Sequence, residues 1–254
     1  MGVSDTDIEY AARAIRDADT VVAMTGAGVS TASGIPDFRG PDGLWQEHDP
    51  DDFHLDRFQA DPEGFWADRL DLAADLFGDG VEPNAAHEAL ADLQQAGVLD
   101  TLVTQNVDGL HQRAGAEDVI ELHGNNDRVA CRGCRRRYDA GPVRERAADG
   151  ELPPSCPECG GVLKPDVVLF GEQLPEHALL MSHARAEKAD VFLVAGSSLS
   201  VEPAASLPGT ALDRGATLVL ANLEPTDYSD RATYDFRSDV TDVLPRLRDA
   251  VRSQ

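Results

Sequence analysis

Thr20-Val21-Val22-Ala23-Met24-Thr25-Gly26-Ala27-Gly28-Val29-Ser30 is the stretch on which the reading of this 254-residue chain turns. A short apolar run ends in a glycine-rich turn. When such a turn leads from a strand into a helix, backbone N–H groups can approach a diphosphate and the helix N-terminus favours its charge. The signal is weak by itself: the dehydrogenase fingerprint needs a third glycine three residues after Gly28, and position 31 is Thr31. A tight structural turn explains the two glycines equally well. Further apolar runs bounded by turn residues recur at Thr101 to Val103, Val119 to Leu122, Val191 to Ala195 and Thr217 to Ala221. They read as buried strands of a mainly parallel sheet. Helical patterns at Ile8 to Asp17, Ala85 to Gln95 and Pro175 to Lys188 alternate with them. Asn84 reads as a helix N-cap, and His87 as a packing or capping residue. The expected fold is α/β, a doubly wound Rossmann-like parallel sheet.

The stretch from Val129 to Val162 interrupts the alternation. It carries all four cysteines of the chain as two Cys-x-x-Cys pairs, Cys131/Cys134 and Cys156/Cys159. Two such knuckles complete the closed four-thiolate shell of a structural zinc site, which leaves no open position for chemistry. Residues 135–155 between the pairs slightly exceed the usual ribbon spacing. Disulfides fit less well, because no apolar signal segment precedes the chain and cytosolic thiols stay reduced. A redox pair would explain one motif and leave its twin idle. We therefore expect a zinc-ribbon module at 126–162 inserted into a Rossmann-like domain formed by 1–125 and 163–254, with a helical and loop segment at about 38–85.

Lys plus Arg number 22 against 46 Asp plus Glu, so the net charge is 22 − 46 = −24, and 42% of residues are hydrophobic. The only lysines are Lys164 and Lys188. Acids scattered along the whole chain suit a solvated coat in high salt, and point to a halophilic prokaryote or archaeon, better than an acidic face for one basic partner. With no long basic stripe, direct nucleic-acid binding is not expected. No apolar run is long enough to span a bilayer, and the expected location is cytoplasmic.

Polar clusters follow three strands. After the first comes the long loop Gly34-Ile35-Pro36-Asp37-Phe38-Arg39-Gly40, with Gly43-Leu44-Trp45. After the second comes Gln105-Asn106-Val107-Asp108-Gly109-Leu110-His111, and after the third Glu121-Leu122-His123-Gly124. Ligands of doubly wound sheets collect at the C-terminal strand ends, so these side chains should share one crevice. His123 is a candidate general base, because an unperturbed imidazole titrates near neutral pH.

Taken together, Gly26-Ala27-Gly28-Val29-Ser30 through Arg39, Gln105-Asn106-Val107-Asp108, His123-Gly124, the two Cys-x-x-Cys pairs and Lys164-Pro165-Asp166-Val167-Val168-Leu169-Phe170-Gly171-Glu172 resemble the sirtuin (Sir2) family of NAD-dependent protein lysine deacylases. The likeness runs in the family's order from about residue 15 to the C-terminus.

The resemblance implies consumption of NAD. The nicotinamide–ribose bond breaks as the acyl oxygen of an acylated lysine attacks the ribose carbon, and the products are nicotinamide, free lysine and O-acyl-ADP-ribose. It implies His123 as the base toward a ribose hydroxyl, with Asn106 and Asp108 in the ribose and nicotinamide pocket. Cofactor contacts are implied for Gly26, Ala27, Gly28, Ser30, Gly34, Ile35, Asp37, Phe38, Arg39, Trp45, Gln105 and Val107. Gly196-Ser197-Ser198 stands where the family has Gly-Thr-Ser, Asn222-Leu223-Glu224 resembles the adenine-ribose segment, and Val240 the adenine edge. Acyl-lysine peptides are the implied partners. They would pair against Gly171-Glu172 and the segment Val201-Glu202-Pro203, with Val168 and Phe170 lining the acyl tunnel, although an ordinary core strand accounts for that pair as well.

Sirtuins that prefer acidic acyl groups carry Tyr-x-x-Arg where this chain reads Trp66-Ala67-Asp68-Arg69. Arg69 is thus either a fork for a succinyl carboxylate or a surface arginine of an amphipathic helix. Desuccinylation, ADP-ribosyl transfer from the same site, and a sensor without turnover remain as alternatives. Presence of His123, Asn106 and Asp108 argues against the sensor.

Overall fold

Helix α1 (Asp5–Asp17) leads into strand β1 (Val21–Thr25), every residue of which is buried. This computed structural model describes residues 3–37, 43–46, 49–76 and 80–253. After β1 come helices α2 (Leu55–Ala60), α3 (Pro62–Leu76) and α4 (Ala85–Gln95), strand β2 (Thr101–Thr104), the single-turn α5 (Leu110–Arg113) and β3 (Ile120–Glu121). Strands β4 (Gly124–Cys131) and β5 (Arg137–Asp139), helix α6 (Ala140–Ala148) and β6 (Leu163–Val167) form the middle of the chain. The remainder is α7 (Glu176–Ala186), β7 (Val191–Ala195), α8 (Leu207–Asp213), β8 (Thr217–Asn222), β9 (Tyr234–Arg237) and α9 (Val240–Arg252).

Six strands make one parallel sheet in the order β3-β2-β1-β7-β8-β9. Alternate side chains of β1 divide between two cores. Val21 and Ala23 pack with α1, α4 and α9 on one face, while Val22 and Met24 pack with α7 and α8 on the other. Burial on both faces is why the strand reads as an unbroken apolar run. The order reverses between β1 and β7, and a doubly wound sheet opens its ligand crevice at that switch point.

Three strands, β5-β4-β6, make a separate antiparallel sheet that carries the cysteines and runs on to Val167. Its core shares Phe58, Phe65 and Trp66 with helices α2 and α3, so the helical segment between β1 and β2 packs on the inserted sheet.

Two sequence expectations change. No α-helix follows β1: Ala27–Val29 and Thr31–Ser33 are separate single turns of 3-10 helix. The turn is drawn tight by Gly26 N–H to Ala195 O and Gly28 N–H to Gly196 O, so the chain is tied to β7 before a helix can propagate. The third apolar run is an edge strand of two half-buried residues, where a buried one was expected. β9 lies at the opposite edge and mixes Tyr234 and Phe236 with Asp235 and Arg237, which hides it from an apolar-run search.

Candidate active site and metal centre

The floor of the crevice is the junction of the β1 and β7 turns. A Cβ on Gly26 would lie 2.9 Å from Gly196 O, and one on Gly28 would lie 2.9 Å from Gly196 Cα. Both glycines are therefore required by the approach of two backbones, whatever the turn binds. At the same place Ser197 donates its backbone N–H to Asn222 Oδ1 at 2.9 Å, and Gln105 Nε2 donates to Ser197 Oγ at 2.9 Å. Asn222 Nδ2 is buried without a partner among the described residues. An unmet donor beside a cluster of hydroxyls and backbone amides fits a phosphate- and ribose-bearing ligand. Leu223 and Glu224 are exposed next to it, and Ser198 Oγ is exposed against Ser200 Oγ. Val240 opens α9 and packs into the core.

Ser30 is the centre of a second, buried network. His87 Nδ1 accepts the backbone N–H of Asn84 within a capping box at the start of α4. That fixes the ring proton on Nε2, which points at Ser30 Oγ 3.3 Å away. Asn106 Nδ2 also donates to Ser30 Oγ, at 3.0 Å, so the Ser30 hydroxyl must donate, and it does so to Asp108 Oδ2 at 2.7 Å. Asp108 Oδ1 accepts the Leu110 backbone N–H. Burial raises the Asp108 pKa, while the bonds from Leu110, Ser30 and Asn106 work against that rise.

Behind this network His111 sits edge-on to His87, their centroids 4.8 Å apart, and its Nε2 meets Thr25 Oγ1 at 2.8 Å. Burial pushes His87 down to about 4; burial, with His87 nearby, takes His111 down to about 3. Both rings are neutral near pH 7. The sequence reading singled out Ser30 and Asp108 but missed His87 and His111 as their support. Asn84 caps α4 and His87 closes the capping box, as the sequence led us to expect of both; the further contact of His87 with Ser30 is what the spacing does not show.

His123 lies just after β3 and is tied to the β2 loop through Gln105. Its Nδ1 is 2.8 Å from the Gln105 carbonyl, which can only accept, so the proton sits on Nδ1 and Nε2 carries the lone pair. Burial lowers its pKa, with the Gln105 carbonyl working the other way. The His123 carbonyl in turn accepts the backbone N–H of Val168 at 2.8 Å. The proposed base is thereby joined to the segment that carries Val168, Phe170, Gly171 and Glu172.

That segment is bracketed by the helical region. Phe170 bridges His54, with Leu55 N–H to Phe170 O at 2.9 Å, and Gly171 turns with φ +76° under the His54 ring. Phe170 is 38% exposed, more than a core strand would allow. Glu172 folds back onto the buried Lys164, Nζ to Oε2 2.8 Å, and accepts the Leu169 N–H.

Gly34 turns with φ +90° after the second 3-10 turn, Ile35 is buried beneath Ser30, and the Asp37 carbonyl accepts the Leu44 N–H. Phe38, Arg39 and the side chain of Trp45 lie outside the described residues. The Val107 carbonyl accepts the Asn126 N–H at 2.8 Å, joining the β2 loop to the small sheet. Trp66 is fully buried and donates Nε1–H to Leu163 O at 2.8 Å, while Arg69 is buried and donates to Asn126 Oδ1. Arg69 is not the surface arginine that was one of its two readings.

The four cysteines are free thiols whose sulfurs lie within 4.8 Å of one another. Cys131 and Cys159 are 3.5 Å apart, Cys134 and Cys156 3.7 Å. Tetrahedral thiolates at about 2.3 Å from zinc stand roughly 3.8 Å apart, so the donor set fits that ion. Gly133 and Cys134 N–H groups point at Cys131 Sγ, and the Tyr138 hydroxyl lies 3.0 Å from Cys156 Sγ, which is the outer support a thiolate site needs.

The family model described as "Sir2 family" matches residues 26–203. An NAD-dependent protein deacetylase of Haloarcula marismortui is 54% identical over 251 residues, covering 97% of this chain and 96% of that protein. An NAD-dependent protein deacylase 2 of Archaeoglobus fulgidus is 40% identical, covering 98% and 97%. A solved Sir2 complex with a p53 peptide and NAD+ superposes with a TM-score of 0.85 at 36% identity, covering 95% of this chain and 97% of that one. Those matches span the crevice, His123 and the thiolate cluster alike, and place the chain in the Sir2 family.

Proposed function

We propose that this chain is an NAD-dependent protein lysine deacetylase or deacylase that releases nicotinamide and O-acyl-ADP-ribose. One observation carries the reading. His123 is held as the Nδ1–H tautomer by Gln105, so its free Nε2 is the nitrogen able to accept a proton, while its own carbonyl holds the segment proposed to take the acyl-lysine. NAD, when bound, supplies an electrophilic ribose carbon and a leaving nicotinamide.

The chain does the rest. His123 takes a proton from a ribose hydroxyl, and burial keeps that imidazole neutral and ready at pH 7. Asp108 presents carboxylate oxygens fixed by Ser30 and Leu110 to the carboxamide, and Asn106 holds the ribose. Backbone N–H groups of the Gly26–Ser30 turn, with Ser197 and Asn222, hold the phosphates and second ribose. Val168 and Phe170 flank the acyl chain, whose peptide adds as a strand beside Gly171. Solved relatives with a p53 peptide and with a myristoylated histone peptide support acylated peptides as the substrate class.

Zinc on Cys131, Cys134, Cys156 and Cys159 holds the module at 126–162, inserted between 1–125 and 163–254, and shapes one wall of the cleft. Four thiolates suit a reducing compartment, the cytoplasm. Among the described residues no helix is long and apolar enough to cross a membrane.

Incubation with NAD and an acetylated peptide should give nicotinamide and free lysine in equal amounts. Nicotinamide release with label on protein and no deacylation would instead assign ADP-ribosyl transfer.

A further inference from the structure

Arg69 is placed unusually for a charged residue. Its side chain lies inside the contact between α3 and the small sheet at 9% exposure, and its one hydrogen bond among the described residues is Nη2–H to the neutral amide oxygen of Asn126. No carboxylate of the described residues pairs with it, and the charged group felt by it is another cation, Arg144 of α6. Arg144 donates to the Asn126 backbone carbonyl and is itself eased by Asp127 and Asp139. Arg69 has no such compensation. A guanidinium taken out of water needs a counter-charge or a full set of acceptors, and one amide oxygen meets one of its five N–H groups.

Both guanidiniums border the same recess, lined by Trp66, Arg69, Asn126, Val129, Arg144 and Pro165. About 10 Å3 is open there to the centre of a water-sized particle. The lining combines two cationic side chains and one amide with apolar residues.

We propose that this recess binds a small inorganic anion of halide size between Arg69 and Arg144, fastening α3 to α6 of the inserted module. The ion supplies the missing counter-charge for Arg69. It also bears on the crevice, because Asn126, which takes both arginines, donates its N–H to Val107 between Asn106 and Asp108.

The test is thermal unfolding of the zinc-loaded protein at one fixed, high ionic strength, with sodium gluconate replaced stepwise by sodium chloride. Wild type should gain a saturable rise in midpoint on the order of 3 °C, which Arg69→Met should lose while keeping its response to total ionic strength. Crystals of the wild type in sodium bromide should show an anomalous peak between the two guanidiniums. That measurement stands even if the variant fails to fold. Equal chloride responses in the two proteins, or an anomalous map without a peak there, would overturn the proposal. So would a wild-type midpoint indifferent to chloride joined to an Arg69→Met variant whose succinyl-peptide rate alone collapses, since that pair of results assigns the guanidinium to a substrate carboxylate.

Discussion

Acidification between pH 6.5 and 5 should strip stability from this protein through His87 and His111. Their folded pKa values, about 4 and about 3, lie below the ordinary 6.5 of an exposed imidazole. The unfolded chain therefore takes up protons in a range where the native core refuses them. Stability is full above pH 6.5 and falls as pH drops, until the native rings also charge near pH 4 and pH 3. Each histidine costs about 1.4 kcal/mol per pH unit in that window, so the pair costs roughly 2.7 per unit and about 4 kcal/mol by pH 5. His123, also lowered by burial, acts in the same direction.

The measurement is chemical denaturation at pH 7.5, 6.5, 5.5 and 5.0 in constant high salt, which screens the repulsion of a chain with net charge −24. His111→Phe is the control. It keeps a buried ring against His87 and removes one titrating group, so its loss of stability per pH unit should be smaller by about 1.4 kcal/mol. Parallel wild-type and His111→Phe lines between pH 6.5 and 5 would refute the assignment, because the slope would then belong to other groups.

Three further outcomes are expected. His123→Ala should abolish deacylation while NAD binding by calorimetry stays near wild type, and in the wild-type pH–rate profile the acid limb should fall below pH 6.5, where the buried base finally protonates. Cys156→Ser, or a strong chelator, should drop bound zinc from one per chain toward zero and cost activity through lost order in the small sheet; full turnover by metal-free protein would remove zinc from the account. Gly28→Ala puts a Cβ 2.9 Å from Gly196 backbone atoms, so unfolding free energy should fall by about 1–3 kcal/mol and NAD binding should weaken with it.

Strands buried on both faces were legible because they are continuous apolar runs: Val191–Ala195 matches its reading residue for residue. Edge strands were less so. Val119–Leu122 was legible as a run, but only Ile120–Glu121 is strand and it is half-buried, while Tyr234–Arg237 alternates aromatic with charged side chains and offers no run to find. The thiolate cluster was legible from two spacings, since each knuckle is local. Arg69 was not, because what buries it arrives later in the chain, as Asn126 and Arg144. The support of Asp108 stayed hidden for the same reason: Ser30, His87 and His111 come from three segments, and each looks ordinary alone. The turn after β1 misled by resembling a helix start, when two backbones packed at Gly196 hold it to single 3-10 turns.

His123 is pinned from opposite sides, its ring to the Gln105 carbonyl at the end of β2 and its own carbonyl to Val168 just after β6. One bond belongs to the large sheet and the other to the small one. Asn126 N–H to the Val107 carbonyl adds a third tie a few residues away, so the seat of this ring is shared between two sheets and a displacement of either one is felt at Nε2.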